Sequence, residues 1–355
     1  MTQTQTMAER APNARSLYTA LAAEIRESGL MQRRYAYYWS RAIAAVAVFA
    51  GLWLGFFLLG DSWFLLLIAG GMGVVMTQFG FLGHDAAHRQ VFRSAAWNTW
   101  ASRLLAGLAG LSHAWWRGKH NAHHAAPNQE SRDPDIAPGF FAFSPDAAEV
   151  RRTRLTRWAV KRQGWLFFPM LTLEGINLHV SSVQPVFDAE APRSQRIEAG
   201  LVALRLAAYL AVLVLVLPLG MAAAFLAVQS AVFGLCLGGS FAPNHIGMPI
   251  VPPTSKIDFL RRQVLMSRNV RGGVMVDFAL GGLNYQIEHH LFPSMPRPNL
   301  RRARPIVRAY CDENRVSYTE VGLFEAYGTI VGYLNNVGLR ARGPFECPML
   351  AQYRS

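Results

Sequence analysis

The sequence predicts an all-α integral membrane protein, with four transmembrane helices in two hairpins and a cytoplasmic helical cap that carries clustered histidines. Three observations predict it. The chain of 355 residues is 52% hydrophobic and only 16% charged, well below the usual quarter. Two long windows lack any Lys or Arg: none follows Arg41 until Arg89, and none follows Arg205 until Lys256. Each window is about 50 residues, or about 75 Å as helix, room for two crossings of a core of about 30 Å. Finally, seven of the ten histidines fall in three short clusters and an eighth, His245, stands alone, all outside the apolar cores of those windows.

Taken in order, residues 1–40 read as a cytoplasmic lead-in, polar and mixed in charge, without the pattern of a cleavable signal peptide. Within it, 17–30 has apolar residues at helical spacing and reads as an amphipathic or surface helix, the alternative being a solvated arm. The first hairpin comprises 42–59 and 63–81, split by Gly60-Asp61-Ser62. The second comprises 206–217 with an extension from about 203, and 221–237, split by Pro218-Leu219-Gly220. All cations lie before, between or after the hairpins, so both termini and the long middle segment face the cytoplasm. Every histidine cluster then falls on one side, as a shared site requires.

Between the hairpins, 100–111 is apolar but short. Residues 164–183 are mostly apolar, yet contain Pro169, Glu174, Asn177 and His179. This segment reads as lying along the membrane interface, because a fifth span would put the last histidine cluster on the wrong side. Trp53, Trp63, Trp97, Trp100, Trp115, Trp116 and Trp165 lie near hairpin ends or in this segment, as an interfacial belt would. The small residues in the first half of 72–83 leave room for a lipid chain or let helices pack closely. One domain is expected: a membrane domain over 41–310, with hairpins at about 42–83 and 203–238 and a cap at 84–200 and 241–310. The tail 311–355 belongs to it. Cys236, Cys311 and Cys347 form no CxxC pair, which excludes a disulfide framework, an iron–sulfur cluster and a fused rubredoxin. The net charge of +13 comes without a nucleic-acid-binding motif and suits an anionic membrane surface.

The histidines carry the chemistry. His120, His123 and His124 stand at i, i+3 and i+4, one face of a helix. His84 and His88 are at i, i+4; Gln286, His289 and His290 repeat the central frame with Gln in first place; His245 follows the last apolar stretch. Buried imidazoles in such number would each need a partner. Imidazole ligates Zn, Cu, Fe and Ni, and eight exceed what one ion takes, so two ions sharing a site is the economical reading. Asp85, Glu288, Asp133, Asp135 and Glu130 lie beside these histidines and are assigned to orient ligand rings through the other nitrogen. The alternatives are direct carboxylate ligation, which in soluble bundles uses paired Glu-x-x-His motifs, and, for Asp133-Pro134-Asp135, a plain turn. His113 has no partner at helical spacing and reads as a surface or supporting residue.

His84-Asp85-Ala86-Ala87-His88, His120-Asn121-Ala122-His123-His124 and Gln286-Ile287-Glu288-His289-His290, in that order, together with the run HNAHHAAPNQESRDPDI from 120 to 136, resemble the three histidine boxes of the membrane fatty acid desaturase family. The resemblance covers roughly residues 40–310. It implies a non-haem site of two iron ions, O2, a fatty acyl substrate linked to CoA or a lipid, and an external electron donor. On the same resemblance His245 is an additional ligand, Asn244 holds a metal-bound water, and Gln286 replaces the first histidine of a fuller third box. His179 then becomes a candidate for the missing imidazole, with packing as its alternative. The third box resembles the front-end type, which commonly carries a fused cytochrome b5 domain. The sequence contains no His-Pro-Gly-Gly stretch, so a separate ferredoxin, rubredoxin or cytochrome b5 docking on the basic face is expected.

Competing readings are a hydroxylase, ketolase or acetylenase of the same family, a membrane b-type haem protein, and a metal-ion transporter. Adjacent His-His pairs outside the bilayer do not suit axial haem ligation. Hairpins nearly free of ionisable groups do not suit a midplane transport site.

Overall fold

A computed structural model describes residues 14–150 and 153–339; Cys347 and the tail from 340 lie outside the described residues. Helix α1 (Ala14–Glu27) buries Leu17, Leu21 and Ile25 along one stripe. The first hairpin is α2 (Tyr35–Leu59) and α3 (Leu65–Ala87), which turn at Gly60 with φ of 58°. Next come α4 (Ala95–Leu108) and α5 (His113–Ala125), whose N-termini are capped by Ser94 and Ser112 hydroxyls accepting from backbone N–H groups. The short α6 (Pro145–Glu149) and α7 (Arg154–Val160) lead to α8 (Gln163–Val183). The second hairpin is α9 (Arg193–Val216) and α10 (Leu219–His245).

Beyond it lie α11 (Phe259–Leu265), β1 (Asn269–Arg271), α12 (Val274–Ala279), α13 (Gln286–Leu291), α14 (Arg297–Glu313), β2 (Glu320–Gly322) and α15 (Leu323–Gly338). The two strands, absent from the sequence reading, pair in parallel with Asn269 opposite Glu320. Three-residue strands are too short to show an alternating pattern. Among the described residues, four helices, α2, α3, α9 and α10, are long and apolar enough to cross a membrane.

Two helices outrun their apolar stretches. The sequence places the ends of α3 and α10 near 81 and 237, but the helices continue to Ala87 and His245. Their last turns are polar yet buried: His84, Asp85 and Asn244 are each at most 4% exposed. Hydropathy stops where these residues begin, while the backbone hydrogen bonds go on. The histidines of α3 and α10 therefore stand on rigid helix, at the same end of the bundle.

Segment 164–183 is one helix, α8, laid against α10. A Cβ on Gly175 would strike the Ser230 carbonyl, and one on Gly234 would strike the Leu171 carbonyl, so glycine on both sides permits the close approach. In α3, Gly73 meets the α10 backbone at Gln229 in the same way, so at that position the small residues serve packing. The cap has its own core, in which Leu21 and Ile25 of α1 join Leu260, Met266, Ile287, Leu300 and Val307. Helix α1 is therefore no solvated arm: Tyr18 donates to the Leu291 carbonyl at 3.1 Å and supports α13.

Candidate metal centre

Four elements deliver the imidazoles. The end of α3 carries His84, with His88 just past it; α5 carries His120, His123 and His124; α10 ends on His245; α13 carries His289 and His290. They gather into two groups in which the ligand atoms lie within 4.8 Å of one another: His84, His88, His120, His124 and His289, and His123, His245 and His290. All eight clustered histidines are used, and the helical spacing explains the split. His120 and His124, four apart, face the first group, while His123 between them turns to the second.

The outward nitrogens are tied down. His84 Nδ1 lies 3.3 Å from Asp85 Oδ1, and Asp85 Oδ2 is held by Arg297 Nε at 2.7 Å. His123 Nδ1 is 3.0 Å from Asp133 Oδ2 and 3.3 Å from Asp135 Oδ2. His245 Nδ1 is 3.0 Å from the Met266 carbonyl, and His290 Nδ1 is 2.8 Å from Gln263 Oε1. With acceptors at Nδ1, these rings donate there, and a neutral ring must then carry a bare lone pair on Nε2. His123 Nε2 and His245 Nε2 nevertheless face each other at 3.3 Å, and His84 Nε2 and His290 Nε2 are buried without a hydrogen-bond partner among the described residues. Convergent lone pairs need a cation. Protonation is disfavoured at His120, His124, His289 and His290, which burial and then the neighbouring histidines push well below the usual imidazole range; at His123, burial is outweighed by Asp133 and Asp135, which raise it.

A metal ion satisfies the same lone pairs. Donors about 2.1 Å from one ion and about at right angles lie about 3 Å apart. The separations are 2.8 Å for His88–His120, 3.0 Å for His120–His124 and 3.2 Å for His124–His289. The residues present thus fit two metal ions, one among five imidazoles and one among three.

On the three-imidazole side, the Gln286 amide lies 2.9 Å from His245 Nε2 and accepts from Asn244 Nδ2 at 3.3 Å. Asn244 Oδ1 is buried without a partner among the described residues. His179 is elsewhere. It is on α8, its Nε2 3.2 Å from the Ala109 carbonyl and its ring stacked 5.6 Å from Phe233. The glycine contact that seats α8 against α10 turns this face of the helix to α4's end and away from the histidines, so the expectation that His179 supplies an imidazole is corrected.

Glu288 also departs from expectation. It accepts from Asn269 and Tyr318, each at 2.7 Å, rather than from a histidine ring; burial, the largest influence, raises its carboxyl to about 7. On a helix, i and i+1 point apart, which is why Glu288 faces the cap core. Glu130 contributes a backbone bond to the Val251 carbonyl. His113 is buried rather than on the surface, with Nδ1 2.7 Å from Ser102 Oγ. Sequence reasoning missed Gln263, Arg297 and the Met266 carbonyl, which lie in other elements with no motif of their own. It also missed Trp116 as a site residue, whose ring stacks 4.4 Å from His120; its place four residues before His120 was the available signal.

Beside the histidines lies a cavity of about 270 Å³. His120, His123, His245 and Gln286 line one side, and Leu111, Trp116, Leu178, Leu237 and Phe241 supply apolar wall. Its polar end holds Glu174 and the half-exposed pair Lys119–Asp135, 2.9 Å apart.

A sequence model of the family described as fatty acid desaturase matches residues 61–322. Among curated relatives, the chain is 29% identical over 342 residues to Delta(8)-fatty-acid desaturase 1 of Arabidopsis thaliana, covering 92% of this chain and 75% of the relative. It is 30% identical over 334 residues to Delta(6)-fatty-acid desaturase fat-3 of Caenorhabditis elegans, covering 90% and 74%. It is 30% identical over 304 residues to fatty acid desaturase 3 of Bos taurus, covering 83% and 66%.

Proposed function

This chain belongs to the fatty acid desaturase family, and we propose that it is an oxidoreductase of lipid metabolism that desaturates a fatty acyl chain at two iron ions held by its eight clustered histidines. The observation that carries the reading is the convergence of those imidazoles into a group of five and a group of three around unshared lone pairs. Iron bound there supplies what no side chain can, the power, drawn from O2 and an external electron donor, to take hydrogen from an unactivated methylene.

The chain's own residues do the positioning. A methylene offers no hydrogen-bonding handle, so the slot must select the attacked carbons by shape. Leu111, Leu178, Leu237 and Phe241 give the acyl chain an apolar bed, and His120, His123 and His245 form the wall it lies against. Trp116 stacks on His120 and fixes that ring while closing the slot to water. Lys119, Asp135 and Glu174 mark the polar end, where the carrier of the acyl chain, CoA or lipid, is placed. Asp133 and Asp135 hold His123, Asp85 holds His84, and Gln263 holds His290; such partners fix the tautomer a metal ligand needs. Gln286 stands beside His245 and completes the three-imidazole side, with Asn244 holding its amide. The cation-free hairpins support cytoplasmic termini and a cytoplasmic centre. A small electron carrier, a ferredoxin, rubredoxin or cytochrome b5, docks on the basic cap.

The test is expression in a host that lacks the activity, with double bonds mapped by mass spectrometry of its lipids. A new double bond, absent with His120→Ala, is expected. An unchanged lipid profile from iron-loaded protein supplied with electrons and O2, or a hydroxylated product, would overturn the reading.

A further inference from the structure

A second cavity, of about 590 Å³, lies between α2 and α3 and shares no lining residue with the slot beside the histidines. Its volume is within the usual range for ligand sites. Within the membrane its walls are apolar apart from Gln78, which turns to the Phe278 carbonyl: Ala44, Val48 and Leu52 of α2, and Gly71, Val74 and Val75 of α3. The lining positions on α2 run from Tyr37 to Leu52, about 22 Å at 1.5 Å per residue. That is about one leaflet, since the hydrocarbon core is about 30 Å thick and headgroups add several ångströms on each side.

At the cap end the walls change character. Arg41, Arg301, Tyr37 and Tyr285 surround the mouth. Arg41 is exposed, its guanidinium lies 5.6 Å from the Tyr37 ring, and among the described residues no ion pair engages it. Arg301 is 61% exposed at its side chain and touches Asp277 only at 4.0 Å. Asp277 is itself engaged by Asn284 at 2.8 Å. Deeper in the wall, Arg297 is neutralised by Asp85 at 2.7 Å. The mouth is therefore left with net positive charge directly above an apolar crevice aligned with the bilayer.

A ligand complementary to this shape is an amphiphile with a negative head and a lipid tail. Juxtamembrane arginines attract anionic lipid, and tyrosines at this depth suit the headgroup layer. We propose that the α2–α3 crevice binds one anionic phospholipid from the leaflet on the histidine side, with an acyl chain between the helices and its phosphate between Arg41 and Arg301. No histidine of the metal centre lines the crevice, so this lipid is a resident ligand and its binding stands independently of the proposed reaction. It sits against Tyr285, which precedes α13, and Arg297, which opens α14.

The experiment uses the full chain in bilayers of equal parts phosphatidylglycerol and phosphatidylcholine, gently extracted and examined by native mass spectrometry. One phosphatidylglycerol per chain is expected to be retained in preference to phosphatidylcholine. Arg41→Ala and Arg301→Ala should each lower that retention about fivefold at low salt, and the double variant more. Ala44→Trp, which fills the crevice and leaves the charge intact, should lower it as well, with iron content unchanged in all variants. Equal retention of the two lipids, wild-type retention in the double variant, or no effect of Ala44→Trp would overturn the proposal.

Discussion

Gln263 is 27 residues from His290 in sequence and 2.8 Å from it in space, and it shows what the histidine spacing alone could not reveal. The imidazoles were legible because i, i+3 and i+4 on one short helix put them on one face. Their partners were not, because each comes from another element: Gln263 from α11, Arg297 from α14, a carbonyl from Met266. Asp133 was legible, since it lies ten residues from His123 in a tight turn. Losing an orienting partner typically costs about 10–100-fold in affinity or activity. Gln263→Leu is therefore expected to lower desaturation by about that factor and to speed iron loss to a chelator; an unchanged chelation rate would remove Gln263 from the centre. His179→Ala should keep all its iron, because its ring bonds a carbonyl of the segment after α4 and stacks on Phe233. Loss of about one iron in that variant would contradict the geometry. Gln286→His should retain substantial activity, because it puts an imidazole where an amide already faces His245.

At the scale of elements, the four apolar helices were readable from composition, but their histidine-bearing ends were not. The apolar stretches end near 81 and 237, and α3 and α10 run about two turns past them. Helix α8 was readable as an apolar segment, expected along the membrane interface. Its role as a buttress of α10 was hidden, because close approach depends on Gly175 and Gly234 meeting across 59 residues of sequence. Gly234→Leu forces α8 from α10 and should cost about 1–3 kcal/mol, the usual range for overpacking, seen as a lower midpoint in a size-exclusion thermal assay. Gly200→Leu, where a Cβ meets nothing within 4 Å, is the control and should leave the midpoint unchanged. Equal effects of the two would mean that the α8–α10 contact does not hold the fold.

For the whole molecule, eight histidines meet at one end of the two hairpins, and the positive-inside rule predicts that this end faces the cytoplasm. Reporter fusions after residues 40, 61, 130, 219 and 260 should read in, out, in, out, in; an outside signal at 130 or 260 would contradict that orientation. The architecture of four spans and a cap was legible because lipid demands long apolar helices. The 5 and 3 division of the histidines was not, since it needs the relative rotation of α5, α10 and α13. That division makes metal stoichiometry the most direct test. Elemental analysis of the purified full chain should find about two irons per chain, falling by about one in His290→Ala, which strips a ligand from the three-imidazole group. Stoichiometric zinc without iron in active protein, or a single iron untouched by His290→Ala, would contradict the account.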